Sequence, residues 1–132
     1  MIFNIAMTIN ISMAFGFALL QLSLVFGAPF GEYVLGGQNR VLPIKMRFIS
    51  GSFSLVFMSV GLSYLHIAGT ISGLCSTVFI RILLVAYTAF LAYAIIGNGF
   101  ITKSKKEKYI MTPCSVIGFL CSVFILIYGR VF

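Results

Sequence analysis

Charged side chains divide the sequence into long apolar stretches. The four longest charge-free runs are residues 1–31, 48–80, 82–102 and 109–129. Each run reaches the roughly 20 residues that cross a bilayer as an α-helix. The pattern predicts four transmembrane helices, at about residues 2–27, 48–68, 78–97 and 111–128.

Turn-forming residues set the limits of these helices. Glycines and prolines break helical geometry between residues 28 and 43, and a cluster of Gly, Ser and Thr between residues 69 and 77 predicts a tight helical hairpin. Pro113 is expected in the first turn of the fourth helix, where proline is tolerated. The first span lacks the basic segment of a secretory signal, so we expect it to be retained as a helix.

The composition agrees with a membrane-embedded chain. Apolar residues make up 61% of the 132 positions, whereas the nine Lys and Arg and two Glu are the only fully charged side chains. This is too few charges to cover a water-facing surface, and 14 Phe with 6 Tyr are too apolar for a disordered chain. We therefore expect one all-α domain over residues 1–132, a compact antiparallel bundle of four transmembrane helices.

The basic residues predict an orientation. Seven of them fall in the first and third connections: Arg40, Lys45, Arg47, Lys103, Lys105, Lys106 and Lys108. The opposite side offers Arg130, with Arg81 just inside the third helix. Basic residues in short loops stay on the cytoplasmic side, so both termini are expected outside a plasma membrane. The net charge of +7 then reflects topology and contact with anionic lipid, and nucleic acid is not an expected partner.

Small and polar residues predict the buried helix faces, because they allow close approach and pairing inside lipid. At about 100° per residue, five stripes are predicted to face inward. They comprise Asn4, Thr8, Ser12, Gly16 and Ser23 in the first helix, and Arg81, Thr88 and Ala92 in the third. The second helix offers two faces, Ser52, Ser59, Ser63 and His66 on one and Ser50, Ser54 and Gly61 on the other. The fourth helix offers Cys114, Gly118, Cys121, Ser122 and Gly129.

One hypothesis places a polar cavity in the outer half of the bundle. The hairpin brings His66 and Arg81 to one membrane level, and Asn4 and Thr8 belong at the same level. Thr88 lies on the same face of the third helix as Arg81. Alternatively, Arg81 snorkels to the interface, because a charge within a span is costly. An inward-facing Arg81 would suit an anionic headgroup or a small anion.

The first connection contains a second candidate site. Glu32, Tyr33, Gly36 and Gly37 lie in a glycine-rich segment that could dip into the bilayer or lie along its inner surface, with Tyr33 as an interfacial anchor. A structural alternative is that Glu32 pairs with Arg40, Lys45 or Arg47 and fixes the loop. Glu107, inside a lysine run, is expected to be a solvated charge.

The sequence lacks the residue sets of common enzymes. One His and three scattered Cys give no metal-ligand cluster, the cysteines do not form a CxxC motif, and no Asp is present for a Ser-His-Asp triad. We expect no metal, no cofactor, no catalytic residues and no intrachain disulfide. Neither Glu falls within a predicted span, which argues against a proton relay.

Two segments resemble a group of small uncharacterised bacterial membrane proteins. The first is Gly27-Ala28-Pro29-Phe30-Gly31-Glu32, continued by Gly36-Gly37, Leu42-Pro43 and Arg47, where those proteins often have Gly-x-Pro-Trp-Gly. The second comprises Asn98, Ser104, Lys106-Glu107-Lys108, Met111 and Pro113. The resemblance implies a four-helix protein of the bacterial inner membrane and carries no assigned activity.

Three hypotheses of function follow. The first is a non-catalytic accessory, regulatory or immunity-like component that packs against itself or another membrane protein. The second is a small oligomeric channel or carrier for a small or anionic solute, lined by Arg81, His66 and Asn4. The third is a lipid-modifying enzyme with Glu32 as its only candidate acid or base. Membrane lipids are expected partners in every case.

Overall fold

The computed structural model describes residues 1–129 and 131. Arg130, which the charge argument counted on the terminal side, lies outside the described residues. The described part contains four α-helices: α1 (Ile2–Val25), α2 (Ile44–Ile67), α3 (Thr77–Ile96) and α4 (Thr112–Tyr128). Two π-helical turns, Gly97–Ile101 and Glu107–Met111, lengthen α3 and α4 on the same side. Each helix is long and apolar enough to span a membrane. The predicted all-helical transmembrane bundle is confirmed, and the chain is a multi-pass membrane protein.

Local chemistry explains where α2, α3 and α4 begin. Helix α2 starts four residues before its predicted limit, because the carbonyl oxygen of Pro43 already accepts from the backbone N–H of Met46 at 2.9 Å. Helix α3 is capped by the hydroxyl of Ser76, which accepts from the N–H of Phe79 at 3.3 Å. Pro113 lies in the first turn of α4, as predicted.

Three connections join the helices. Loop 1 (residues 26–43) contains two short 3₁₀ turns, Gly31–Tyr33 and Leu35–Gly37. Loop 2 (residues 68–76) is the predicted tight hairpin, in which Gly69 and Gly73 adopt φ angles of +75° and +72° that glycine tolerates best. Loop 3 (residues 102–106) lies on the same side of the bundle as loop 1 and contacts it directly.

The helices are not packed equally. Helix α1 packs along α2 on one side and along α4 on the other, and α3 packs along α4. Helices α2 and α3 contact each other at few positions. Aromatic rings from α1, α2 and α3 therefore face the gap between α2 and α3, among them Phe17, Phe53, Phe57 and Phe90.

The predicted inward face of α1 is wrong. Four of its five residues, Asn4, Thr8, Ser12 and Gly16, are exposed on the outer surface of the bundle, and Ser23 is partly buried. The buried face consists of Ala6, Met7, Asn10, Ala14, Ala18, Gln21 and Leu24. The hydroxyl of Thr8 donates to the Asn4 carbonyl oxygen at 2.8 Å, so this side chain needs no partner on another helix. Alanines supply the small surface that close packing requires.

The faces predicted for α2 and α4 are partly confirmed. Ser50, Ser54 and Gly61 are buried, and the hydroxyl of Ser54 donates to the carbonyl oxygen of Ala18 on α1 at 2.9 Å. Ser52 and Ser59 are exposed, contrary to prediction, and each hydroxyl is satisfied by a carbonyl oxygen one turn earlier in its own helix. On α4, Gly118 and Ser122 are buried as predicted.

Candidate functional site

Four polar side chains meet in the middle of the bundle, one from each helix. This core network consists of Asn10, Tyr64, Thr88 and Ser122. The Ser122 hydroxyl lies 2.7 Å from the Tyr64 hydroxyl and within hydrogen-bond distance of the Thr88 hydroxyl. With its amide oriented to satisfy both ends, Asn10 donates to the Gly118 carbonyl oxygen (3.2 Å) and accepts from the Ser122 N–H (3.0 Å). These groups satisfy one another, so the network joins the helices.

The predicted outer cavity of Asn4, Thr8, His66, Arg81 and Thr88 is not assembled. Asn4 and Thr8 face outward, and Thr88 belongs to the core network. Arg81 is half-buried, and its Nε donates to the backbone carbonyl oxygen of Val131 at 2.7 Å. This contact ties the start of α3 to the segment after α4. His66 is partly buried and its Nδ1 has no hydrogen-bond partner among the described residues.

Loop 1 is fixed to loop 3 by charge and by close backbone contact. The Glu32 carboxylate forms an ion pair with Lys106, whose ammonium also lies 5.6 Å from the centre of the Tyr33 ring. The Ser104 hydroxyl donates to the Glu32 carbonyl oxygen at 2.6 Å. The expected structural partners of Glu32 were Arg40, Lys45 or Arg47, and the structure places Lys106 there instead. Two connections remote in sequence therefore form one structured surface.

Glu107 is buried, which contradicts the expectation of a solvated charge. Only 5% of its surface is exposed. Its carboxylate accepts from the Thr102 hydroxyl and, at 3.4 Å, from the backbone N–H of Gly36. The N–H of Glu107 in turn donates to the Ser104 hydroxyl at 3.3 Å. The sequence Ser104-Lys105-Lys106-Glu107 has the Ser-x-x-Glu spacing of a helix capping box, which is the signal that could have placed Glu107 correctly.

The main cavity lies between α1, α2 and α3 and is covered by loops 1 and 3. Its volume is about 640 Å³, within the range of ligand sites in proteins. The aromatic residues Phe17, Phe53, Phe57, Phe90 and Tyr93 form its apolar wall. The residues of the predicted functional loop that line it are Tyr33 and Gly36. Glu32 and Gly37 lie outside its lining and hold loop 1 against loop 3.

Polar groups enter this cavity at the end nearest loops 1 and 3. They belong to Gln21, Gln38, Asn98, Thr102, Lys103, Glu107 and Ser115. The Asn98 amide donates to the Ser115 hydroxyl at 3.5 Å. Gln21 is only 7% exposed, and its Oε1 has no hydrogen-bond partner in the described part of the chain. The cavity thus combines an apolar body with a polar end, and sequence reasoning missed both.

Comparison of the chain with protein-family models, curated proteins and solved structures found no match. Within residues 1–129 and 131, no group of His, Cys and Glu side chains is arranged to hold a metal ion. Cys75, Cys114 and Cys121 are all free thiols.

The ion pair between the loops predicts a measurable titration. The hydrogen bond and charge of Lys106 lower the pKa of Glu32 from its ordinary value of 4.5, and Glu32 raises the pKa of Lys106 above 10.5. The stabilisation from Glu32 is therefore complete above pH 4.5 and lost as the pH falls through the lowered pKa. The stabilisation from Lys106 is complete below pH 10.5 and is lost as the pH rises through the raised pKa of Lys106.

Carbon-13 NMR of labelled Glu carboxyls can test this, because the chain has only two Glu residues. We expect Lys106→Met to raise the pKa of Glu32 toward its ordinary value, and Lys105→Met to leave it lowered. Glu107→Gln assigns the two signals. An unchanged Glu32 titration in Lys106→Met would contradict the pairing.

Proposed function

We propose that this chain is a non-catalytic component of a bacterial inner membrane, with an accessory or regulatory role, and that it acts by holding an amphipathic molecule from the bilayer. The main cavity carries this proposal. Its aromatic wall suits a hydrocarbon chain, and the polar groups at its end suit a headgroup. Loops 1 and 3 cover that end, so a bound headgroup would contact these loops, which we propose as the surface for a partner protein.

The state of the polar side chains supports binding over catalysis. Glu32 is engaged by Lys106, and the hydroxyls of Tyr64, Thr88 and Ser122 bond one another. A general base or nucleophile must instead be positioned toward a reacting atom. The polar residues that line the cavity include the Gln21 amide and the Glu107 carboxylate, which are well suited to fix a headgroup by hydrogen bonds.

The basic residues support an orientation for the bound molecule. Loops 1 and 3 lie together at one end of the bundle and carry Arg40, Lys103, Lys105 and Lys106. Because basic loops are retained on the cytoplasmic side of a membrane, we place this end of the bundle in the cytoplasm and both termini outside. The polar end of the cavity then lies at the level of the inner leaflet headgroups.

The proposal can be tested by fluorescence, because the chain contains no Trp. Phe90→Trp places a single reporter on the wall of the main cavity. Phospholipids brominated on their acyl chains quench a Trp that they contact. We expect quenching of this reporter in bilayers, and we expect it to fall by about half or more when Ala94→Phe is added, since the new ring fills space that a ligand would occupy.

Ala89→Phe is the matched control, because Ala89 lies on the same helix but faces outward, whereas Ala94 is 9% exposed and lines the cavity. It should leave the quenching unchanged. Equal quenching in the two Phe variants would refute a ligand-filled cavity. Solute flux across vesicles that contain the purified protein would favour the channel or carrier hypothesis instead, if Ala94→Phe blocks the flux and Ala89→Phe does not.

A further inference from the structure

The polar end of the main cavity contains one hydrogen-bond acceptor without a matching donor among the described residues. The Oε1 atom of Gln21 is buried and has no partner among the described residues. A buried acceptor left unpaired costs free energy that a ligand donor recovers. A ligand for this cavity therefore carries N–H or O–H groups.

Glu107 adds a requirement for positive charge. Among residues 1–129 and 131, its two carboxylate oxygens receive hydrogen bonds only from neutral groups, the Thr102 hydroxyl and the Gly36 N–H. The described residues provide it with no salt bridge, although it is almost fully buried. Buried carboxylates are normally paired with a cation. A cationic donor on the ligand supplies what the protein does not.

Lys103 provides the complementary charge at the same cavity. It lines the cavity close in sequence to Glu107, and its side chain is exposed. An ammonium ion is a good partner for a phosphate group. The cavity therefore offers a carboxylate for a cation and an ammonium for an anion, the charge pattern of a zwitterionic headgroup.

A path for an acyl chain leads away from this polar end. A second, smaller cavity of about 130 Å³ shares Phe53, Phe57 and Phe90 with the main one. It continues along the gap between α2 and α3 and is lined by Leu83, Ala86 and Tyr87. The apolar surface thus runs along the gap from the loop side toward the middle of the bundle.

From these groups we infer that the ligand is a phospholipid whose headgroup carries a primary ammonium, of the ethanolamine type. The inference rests on the function proposed above. The ammonium N–H groups donate to the Glu107 carboxylate and the Gln21 Oε1, the phosphate pairs with Lys103, and an acyl chain follows the aromatic gap between α2 and α3. A choline headgroup has the same charges but no N–H donor, so it fits less well.

Native mass spectrometry of the wild-type protein tests the headgroup directly. The purified protein is mixed in detergent with equal amounts of ethanolamine and choline phospholipids that have identical acyl chains. We expect the ethanolamine lipid to bind about tenfold more tightly, as the loss of hydrogen bonds to a charged group implies. Equal binding overturns this inference and leaves the proposed function standing. Binding of neither lipid overturns the proposed function itself.

Two variants locate the preference. Glu107→Gln removes the charge, and Gln21→Met removes the acceptor while keeping a side chain of similar length. Each is expected to reduce the tenfold preference to about threefold or less. Leu22→Met, on the outer face of α1, should keep the preference in full. If Glu107→Gln does not fold, Gln21→Met alone decides. A preference retained in every folded variant contradicts the assigned contacts.

Discussion

Gly37→Ala is expected to destabilise the protein by about 2–4 kcal/mol, because it separates loop 1 from loop 3. Gly37 adopts a φ of +64°, and a Cβ atom there would lie 2.2 Å from the Cβ of Ser104 and 2.8 Å from the Glu32 carbonyl oxygen. The positive φ alone costs about 1 kcal/mol for alanine, and forced overlap in a packed contact adds about 1–3 kcal/mol. Denaturation of the purified protein in mixed micelles measures the total.

Gly36 provides the matched control. Its φ is +81°, and no atom lies within 4 Å of the position that a Cβ would take. Gly36→Ala therefore carries only the conformational cost, about 1 kcal/mol. The difference between the two variants isolates the close approach of the loops. Equal effects of the two substitutions would mean that loops 1 and 3 are not in contact.

A second substitution in loop 3 can relieve the overlap. Ser104→Gly removes the Cβ and Oγ atoms that an alanine at position 37 would meet. It also removes the hydrogen bond to the Glu32 carbonyl oxygen, so its own cost must be measured separately. In the double-mutant cycle we expect a favourable coupling energy of about 1 kcal/mol or more between the two positions. Additive effects would contradict the contact.

The elements that depend on local sequence could be predicted. Four charge-free runs of sufficient length were enough to place the helices, because a bilayer demands apolar spans of nearly fixed length. Pro113 and the glycines of loop 2 marked their positions through backbone geometry that other residues rarely adopt. The buried faces of α2 and α4 were partly recovered from Ser54, Gly61 and Gly118, small residues that face a neighbouring helix.

Partners remote in sequence could not be predicted. Glu32 had three basic residues nearby in sequence, one in loop 1 and two at the start of α2, yet it pairs with Lys106, 74 residues away. Charge alone does not choose among several exposed cations, since surface ion pairs differ little in free energy. The main cavity was missed for a related reason. It arises because α2 and α3 diverge, and the divergence depends on how both pack against α1 and α4.

In helix α1, polar residues led to the wrong prediction of the buried face. Asn4 and Asn10 are both asparagines on one transmembrane helix, and sequence reasoning selected Asn4. Six residues correspond to about 600°, which puts them on different faces of the helix, about 120° apart. Asn10 is fully buried, whereas Asn4 is exposed. Asn10 bonds another helix and Asn4 faces lipid. Because both are asparagines, residue type alone does not distinguish the two roles.

This difference yields the second large effect. Asn10→Leu is expected to destabilise the protein by about 1–2 kcal/mol, near the upper end for interhelical hydrogen bonds in membranes. The substitution keeps the number of side-chain heavy atoms and the branching but removes the bonds to the Gly118 carbonyl oxygen and the Ser122 N–H. It also removes the amide that lies 3.5 Å from the Tyr64 hydroxyl. Denaturation in mixed micelles again provides the measurement.

Asn4→Leu is the control, and we expect it to change the free energy of unfolding by less than about 0.5 kcal/mol, because an outward-facing leucine contacts lipid without disturbing a neighbour. The Thr8 hydroxyl bonds the backbone of Asn4, so that contact survives the change of side chain. The reverse result, a large loss of stability in Asn4→Leu and none in Asn10→Leu, would mean that α1 is rotated about its axis.

Gln21 lies on the same buried face of α1 as Asn10. A rotated α1 would therefore also withdraw the Gln21 amide from the main cavity, so this pair of variants tests the framework on which the lipid site depends.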